Sequence, residues 1–426
     1  MLKAWIQSTS LTHDPLDSYL QQKTCFDLVL SSPTKTLGPA FAILVTKVLD
    51  DPDACSFYLN ICHCILKRGR HESDAPMTAL LHAFLDRHDQ LPLWSKEQLK
   101  YAHPLDLVPF LVWAIDIAKT VPLQQDQEAQ DILDLLLTDE WLLHVFRLWR
   151  HDHITVVRKS MELILRLVPY VGQDLLILIC EHVFGYVILC QKTLTPAQFD
   201  ILTDYNRTDF FYQPLSQQTL VLDRECLSMV LQCVTKTLGR LVRLDSLPTS
   251  LTDMLDTAFL PMQETVLATS LDVMARITGS NDQVMIVLQL EVLMAHLWLE
   301  QHDHQPPHPS LAWAMERFNP HVLFSHFLIL IGMKYELLVD LLMSNETEML
   351  EFLVRYLKFL ERHVYAFMKA LGEVMAEEDE EDDPCQDVMD LLTQLLAVLQ
   401  TDVFPYNAAV LSRRIQSVLA CLQSSI

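Results

Sequence analysis

The sequence predicts an all-α protein, built as an irregular stack of antiparallel helices, on three observations. Gly accounts for only 8 of 426 residues, far below the usual ~7%, so the chain lacks the flexible punctuation that hairpin-rich sheets require. Half of the residues are hydrophobic, which supplies ample apolar surface for a core. Apolar residues recur at spacings of three and four in block after block, the mark of amphipathic helices. The length exceeds what one hydrophobic core usually supports, so several bodies or one extended stack are expected.

The blocks are separated by short breaks at Asp51-Pro52, His103-Pro104, Val168-Pro169, Thr195-Pro196, Leu247-Pro248 and Pro306-Pro307. Proline after a break suits the first turn of the next helix. Leu105, Val108, Val112 and Ile115 are expected to form one buried face, and Ile154, Val157, Met161, Ile164 and Val168 another. Residues 172–190 come nearest to a membrane span. Asp174, Glu181 and His182 interrupt that stretch, and its uncharged runs fall short of ~20 residues, so a buried helix without membrane insertion is expected.

Residues 319–360 carry the densest helical patterning. Ser344 or Asn345 is placed to cap the helix that follows, and Asn345 with Glu348 has the capping-box form. Leu353, Leu357, Leu360, Val364, Phe367 and Leu371 make one continuous stripe, and Leu350, Phe352, Tyr356 and Phe359 a second apolar face. Glu351 and Arg355 sit four apart on the remaining face, a spacing that favours a surface ion pair.

Residues 377–383 are an unbroken acidic run followed by Pro384. Close like charges repel and proline restricts the residue before it, so residues 373–386 are expected to be a solvated linker. It would divide a helical body, residues 1–372, from a C-terminal helical segment, residues 387–426. In that segment Val388, Leu391, Leu392, Leu395 and Leu399 make one face and Leu411, Ile415, Val418 and Leu422 another, with Asn407 as a helix cap. Such a hairpin is too small to be stable alone and should dock on the body.

Reaction chemistry is hard to find. The phosphate-cradling GxxxxGK[ST] and GxGxxG patterns, the GxSxG elbow and the HExxH zinc helix are all absent, so no catalytic residue and no cofactor is assigned. Cys55, Cys62, His63, Cys64 and His71 are dense, but residues two apart on a helix point to nearly opposite sides, and structural zinc needs four convergent ligands. His302, Asp303, His304 and His308 lie in a loop marked by Pro306-Pro307; His-x-His spacing suits a transition metal, yet no fourth ligand or supporting shell is visible. No metal site is assigned.

Lys plus Arg total 31 against 55 Asp plus Glu, a net charge of −24. That field repels phosphate backbones and anionic lipid and favours basic protein segments, so direct nucleic-acid binding is not expected. The N-terminus lacks the basic start and apolar run of a signal peptide. Ten cysteines are scattered without a CxxC pair, as free buried thiols in a reducing compartment would be. An intracellular location, cytoplasm and/or nucleus, is expected, where the sequons Asn206-Arg207-Thr208 and Asn345-Glu346-Thr347 would go unread.

The order of residues in 319–360 resembles the Lines family of developmental regulators. The family pattern is a hydrophobic helix, a Leu-Leu-Asp-like step, then Ser-x-Glu-Thr opening a helix with Glu, Arg-Tyr-Leu and Lys. Here it is carried by Asn319, Pro320, Phe324, Phe327, Leu338, Asp340, Leu342, Ser344, Glu346, Thr347, Leu350, Glu351, Arg355, Tyr356, Leu357 and Lys358. Val339 and Phe352 stand where the family pattern has Leu and Tyr. Phe404-Pro405-Tyr406-Asn407 is similar to the start of the family's small C-terminal segment. The resemblance implies a non-enzymatic scaffold that binds protein partners and adjusts Wnt/Wingless, segment-polarity signalling and transcription regulators. Asp340, Glu351, Arg355 and Lys358 are the candidate protein-binding residues, with basic segments of transcription or signalling regulators as the expected partners. Residues 152–168, with Val157-Arg158-Lys159, resemble the second helix of a HEAT unit. A HEAT/armadillo-like, α-solenoid-like stack acting as a transport or assembly adaptor is therefore the alternative.

Overall fold

A computed structural model describes residues 1–8, 15–70, 74–123, 127–203, 215–216, 220–264, 276–278, 281–344, 347–375, 384–401, 404 and 407–425. The all-α expectation holds: these residues form a stack of helices, and strand appears among them only as the two-residue pair Leu215–Ser216 and Val221–Leu222, antiparallel, with Leu215 opposite Leu222. The chain divides into two compact units. One comprises residues 1–182 and 211–229, the other residues 183–210 and 230–426. That division falls elsewhere than the 372/373 boundary expected from the acidic run.

In the first unit, helix Thr34–Asp50 packs on Pro52–Gly69 and Asp74–Leu85, and Pro104–Thr120 packs between Pro52–Gly69 and Ile154–Leu167. Pro52 and Pro104 each open a helix, as their fixed φ allows. Gly69 lets two helices close up: a Cβ there would stand 2.5 Å from Cβ of Met77. An aromatic cluster fills the centre, with Trp113 5.1 Å from Phe84 and 5.5 Å from Trp94 between ring centroids.

Two faces tested the periodicity differently. Val157, Met161, Ile164 and Val168 are buried as expected and Ile154 half so. The face assigned to Leu105, Val108, Val112 and Ile115 is corrected in part: Ile115 is buried as expected, but Leu105 is 73% exposed, Val108 and Val112 are half-buried, and Leu107, Phe110, Leu111, Trp113, Ala114 and Ile117 share the core. Helix Pro104–Thr120 is apolar on nearly every side, so spacing alone did not choose its inward face; the bulk of Phe110 and Trp113 did.

In the second unit, helix Asp282–Gln301 packs against Pro320–Leu330 and Met349–Leu360, Pro320–Leu330 against Val364–Met375, and Pro384–Leu399 against Tyr335–Met343 and Ala409–Ser425. Phe324, Phe352, Leu353, Leu357, Leu391, Leu395, Ile415 and Val418 belong to one buried cluster, so the C-terminal hairpin shares the core of this unit. Asn407 caps the last helix, its Oδ1 accepting from the amide of Ala409 at 3.0 Å.

Three expectations change here. The stripe running from Leu353 to Leu371 is buried apart from half-buried Val364, but it lies on two helices, Met349–Leu360 and Val364–Met375. No proline or glycine marks the break. Long-range ion pairs hold its turn, Arg362 to Glu300 at 2.6 Å and Glu361 to Arg414 at 2.9 Å. Second, the signature helix begins at Met349 with Glu348 at its N-cap, Ser344 closes the preceding helix as its C-cap, and Leu350 is exposed; Asn345 and Glu346 lie outside the described residues. Third, helices reach Met375 and resume at Pro384, so ordered backbone occupies both edges of the expected linker, and the acidic run 377–383 lies outside the described residues. The first sequon, 206–208, lies outside them too.

Helices Gln173–Thr193 and Asp282–Gln301 are long and apolar enough to cross a membrane by length and composition. Each is partly buried against protein. Within the second unit Phe184 meets Phe259 at 5.7 Å, and Met285, Ile286, Leu290 and Leu293 join the main core.

Candidate functional site

Helix Met349–Leu360 organises the second unit. Met349, Phe352, Leu353, Tyr356, Leu357, Phe359 and Leu360 are buried, an arc too wide for one contact, so the helix is covered on two sides. What remains outside is a charged stripe: Glu351, Arg355 and Lys358, spaced four and three apart, share one exposed face. Arg355 donates to Glu351 at 2.8–2.9 Å, both side chains about half exposed. Lys358 stands in the last turn, where a cation complements the helix dipole. Asp340 is exposed on the neighbouring helix Tyr335–Met343. Between the two helices Thr347 Oγ1 donates to the carbonyl of Leu341 at 2.7 Å, which fastens the connection.

Tyr356 occupies the inner side of the same helix. Fully buried, it lies 4.2 Å from Phe324 between ring centroids and is hydrogen-bonded, Oη to Nδ1 of His321, at 3.1 Å. His321 stacks on Phe359 at 5.0 Å. Loss of water around that imidazole, with His363 and His296 nearby, drives its pKa down to about 3, and burial pushes the Tyr356 phenol well up. Both are therefore neutral, and the signature Arg-Tyr-Leu places its Tyr in the core.

At the C-terminal end of this helix a cleft of about 410 Å³ opens. His296, Leu299 and Glu300 reach it from helix Asp282–Gln301, Asp303, His304, Gln305 and Pro306 from the following loop, and Ala312, Met315 and Glu316 from helix Pro309–Arg317; Phe359 and His363 complete it. The spacing His296 to Glu300 is one helical turn, which aims both the same way. His296 donates through Nε2 to the carbonyls of Met315 and Phe318, each at 3.1 Å, and burial lowers its pKa, so it too is neutral. Glu300 Oε1 receives Arg362, and Nε2 of His363 lies 3.4 Å away.

The three loop histidines part company. His302 stacks on Trp298 at 4.4 Å and stays exposed. His308 caps helix Pro309–Arg317, accepting from the amide of Ser310 at 3.3 Å, with Asp256 3.6 Å away. Only His304 lines the cleft, edge-on to Trp298, its Nε2 buried without a hydrogen-bonding partner. Asp303 turns the loop with a φ of +48°, a conformation Asp tolerates better than most residues.

In the first unit, Cys55 and Cys62 are buried and Cys64 half-buried on helix Pro52–Gly69; His71 lies outside the described residues. Burial pushes the Cys55 thiol up to about 12 and raises Cys62 and Cys64 as well, which favours the protonated thiol. His63 instead meets buried Asp116 at 2.5 Å, and Arg70 meets the other carboxylate oxygen at 2.9 Å. Among the described residues no group of three His, Cys, Asp or Glu is placed to hold a metal. Sequence reasoning missed the cleft: only the His296/Glu300 spacing is local, and Glu316, Phe359 and His363 arrive through tertiary packing.

Residues 280–371 match the family model described as the Lines N-terminus. No curated protein matches the chain. A crystal structure of an engineered protein is similar at 13% identity with a TM-score of 0.38, covering 99% of this chain and 98% of that one.

Proposed function

We propose, from the match of residues 280–371 to the Lines N-terminus family model, that this chain is a Lines-like, non-catalytic helical scaffold that binds protein partners and modulates developmental, Wnt/Wingless-type signalling and transcription regulators. The observation that carries this reading is how the family segment divides its own residues. Phe324, Phe327, Leu338, Leu342, Tyr356 and Leu357 go to the core, while Asp340, Glu351, Arg355 and Lys358 stay in solvent. Packing accounts for the first group and leaves the second free to meet a partner. An exposed helix face with charges of both signs sets register and selects partners more than it adds affinity. The acidic net charge favours basic segments of regulators, and action in the cytoplasm and/or nucleus follows from that reading.

Affinity capture from native cells tests it, with the intact chain beside a variant carrying Asp340→Lys, Glu351→Lys, Arg355→Glu and Lys358→Glu. Reversing Glu351 and Arg355 together keeps them oppositely charged, but reversing Glu351 in the first turn and Lys358 in the last opposes the helix dipole at a cost of about 0.3–1 kcal/mol each, so the melting temperature of the variant is measured beside its capture. Signalling or transcription regulators captured by the intact chain and lost by the variant are expected. Equal recovery by both would remove this face from the account, and the absence of any such regulator would remove the signalling role.

A further inference from the structure

We propose that the cleft at the end of helix Asp282–Gln301 is a docking pocket for an arginine side chain presented on an extended segment of a partner protein. This rests on the reading of the chain as a protein-binding scaffold and adds to it a second contact site and the residue it takes.

Charge gives the first argument. Glu300, Asp303 and Glu316 stand in the wall and no Lys or Arg does. Asp303 and Glu316 are exposed at its rim, and Arg362 already engages one oxygen of Glu300. A cation entering the cleft therefore meets opposite charge, and an anion meets repulsion. Shape gives the second. Phe359, Pro306 and Met315 supply an apolar lining, on which a planar, weakly hydrated guanidinium stacks better than a strongly hydrated ammonium. Acceptors give the third. The carboxylates of Asp303 and Glu316 are exposed acceptors at the rim, and the five N–H groups of a planar guanidinium can bridge such groups; Nε2 of His304 is enclosed within the wall and takes no part.

Size argues for a peptide rather than a free small cation. A volume of about 410 Å³ lies in the range of ligand pockets and holds an arginine with parts of its neighbours. A metal ion fits poorly, since Nε2 of His296 is committed to two carbonyls and no three ligands converge among the described residues.

Arrayed short peptides with a fixed central Arg, Lys, citrulline or Glu and degenerate flanks, probed with the full chain, test this. Citrulline keeps the shape of arginine and removes its charge. Retention on Arg about tenfold above citrulline is expected, with Lys between them and Glu lowest. The variant Asp303→Asn/Glu316→Gln should lose that preference. Both residues are exposed and Asn also tolerates the left-handed backbone, so an unchanged melting temperature is expected. Equal retention on Arg and citrulline by the intact chain overturns the proposal whatever the variant does, and so does an undiminished preference in the folded variant. Capture of cellular regulators without an arginine preference would remove the pocket and leave the scaffold. An arginine preference without captured regulators would support the pocket and remove the signalling role.

Discussion

Two buried sites, one in each unit, handle ionisable groups in opposite ways. In the first, Asp116 keeps its charge company: Arg70 at 2.9 Å and His63 at 2.5 Å. In the second, His321 and Tyr356 are buried as neutral groups joined by one hydrogen bond. A paired charge is secure only while all partners remain, because each ion has given up its water. A neutral pair risks less, since losing one partner strands only a polar atom. The sensitivity of each site to substitution and to pH should follow that difference.

The largest effect is expected at Asp116. Asp116→Ala leaves the Arg70 charge, only 10% exposed, with the backbone carbonyl of residue 116 but no carboxylate, and should lower stability by about 3–5 kcal/mol in chemical denaturation. Adding Arg70→Met should recover part of the loss, because no charge is then left alone. If the double variant is no better than the single one, the pair is not what holds this helix junction.

Tyr356→Phe should cost less, about 1–3 kcal/mol, the penalty of one buried nitrogen without its partner. Removing both polar groups, as Tyr356→Phe with His321→Phe, should be milder than the sum of the single changes. A double-mutant cycle by denaturation measures the coupling, and a coupling near zero would mean that the 3.1 Å contact contributes nothing.

The neutral pair should also make the second unit sensitive to acid. The pKa of His321 falls from its ordinary 6.5 to about 3 on folding, so between those values the unfolded chain binds the extra proton. Stability therefore rises with pH across this window, and is lost as pH falls from about 6.5 towards 3, by up to about 1.4 kcal/mol per pH unit. His296, lowered by burial as well, adds in the same direction. His321→Phe should flatten the slope of stability against pH; an unchanged slope would mean that other groups set it.

How much of this was legible in the sequence depended on whether a pattern was local. The buried stripe of Val157, Met161 and Ile164 was readable because helix Ile154–Leu167 has a polar side to contrast with it. Helix Pro104–Thr120 offers no such contrast, and Leu105 went to the wrong face. The turn at residues 361–363 was invisible because its ion-pair partners, Glu300 and Arg414, are more than 50 residues away in the chain. Exposure of Asp340, Glu351, Arg355 and Lys358 could be anticipated from their polarity. The cleft could not, since neighbouring loop histidines turned to three separate tasks and its aromatic floor, Phe359, comes from another helix.

The smallest stability effect is expected where the proposed binding effect is largest. Glu351 and Arg355 form a half-exposed pair one turn apart, so Glu351→Ala should change stability by only about 0.2–0.5 kcal/mol. Denaturation of this variant beside the charge-reversed quadruple variant separates the two roles of the signature helix. Near-native stability in both, with partner capture lost in the quadruple variant, assigns the stripe to recognition. A loss of several kcal/mol in either would show that the stripe supports the fold, and would make any loss of capture a consequence of unfolding. Because the inner face of the same helix carries Tyr356, the comparison with Tyr356→Phe is internal: the inward residue should register in stability, and the outward residues in binding.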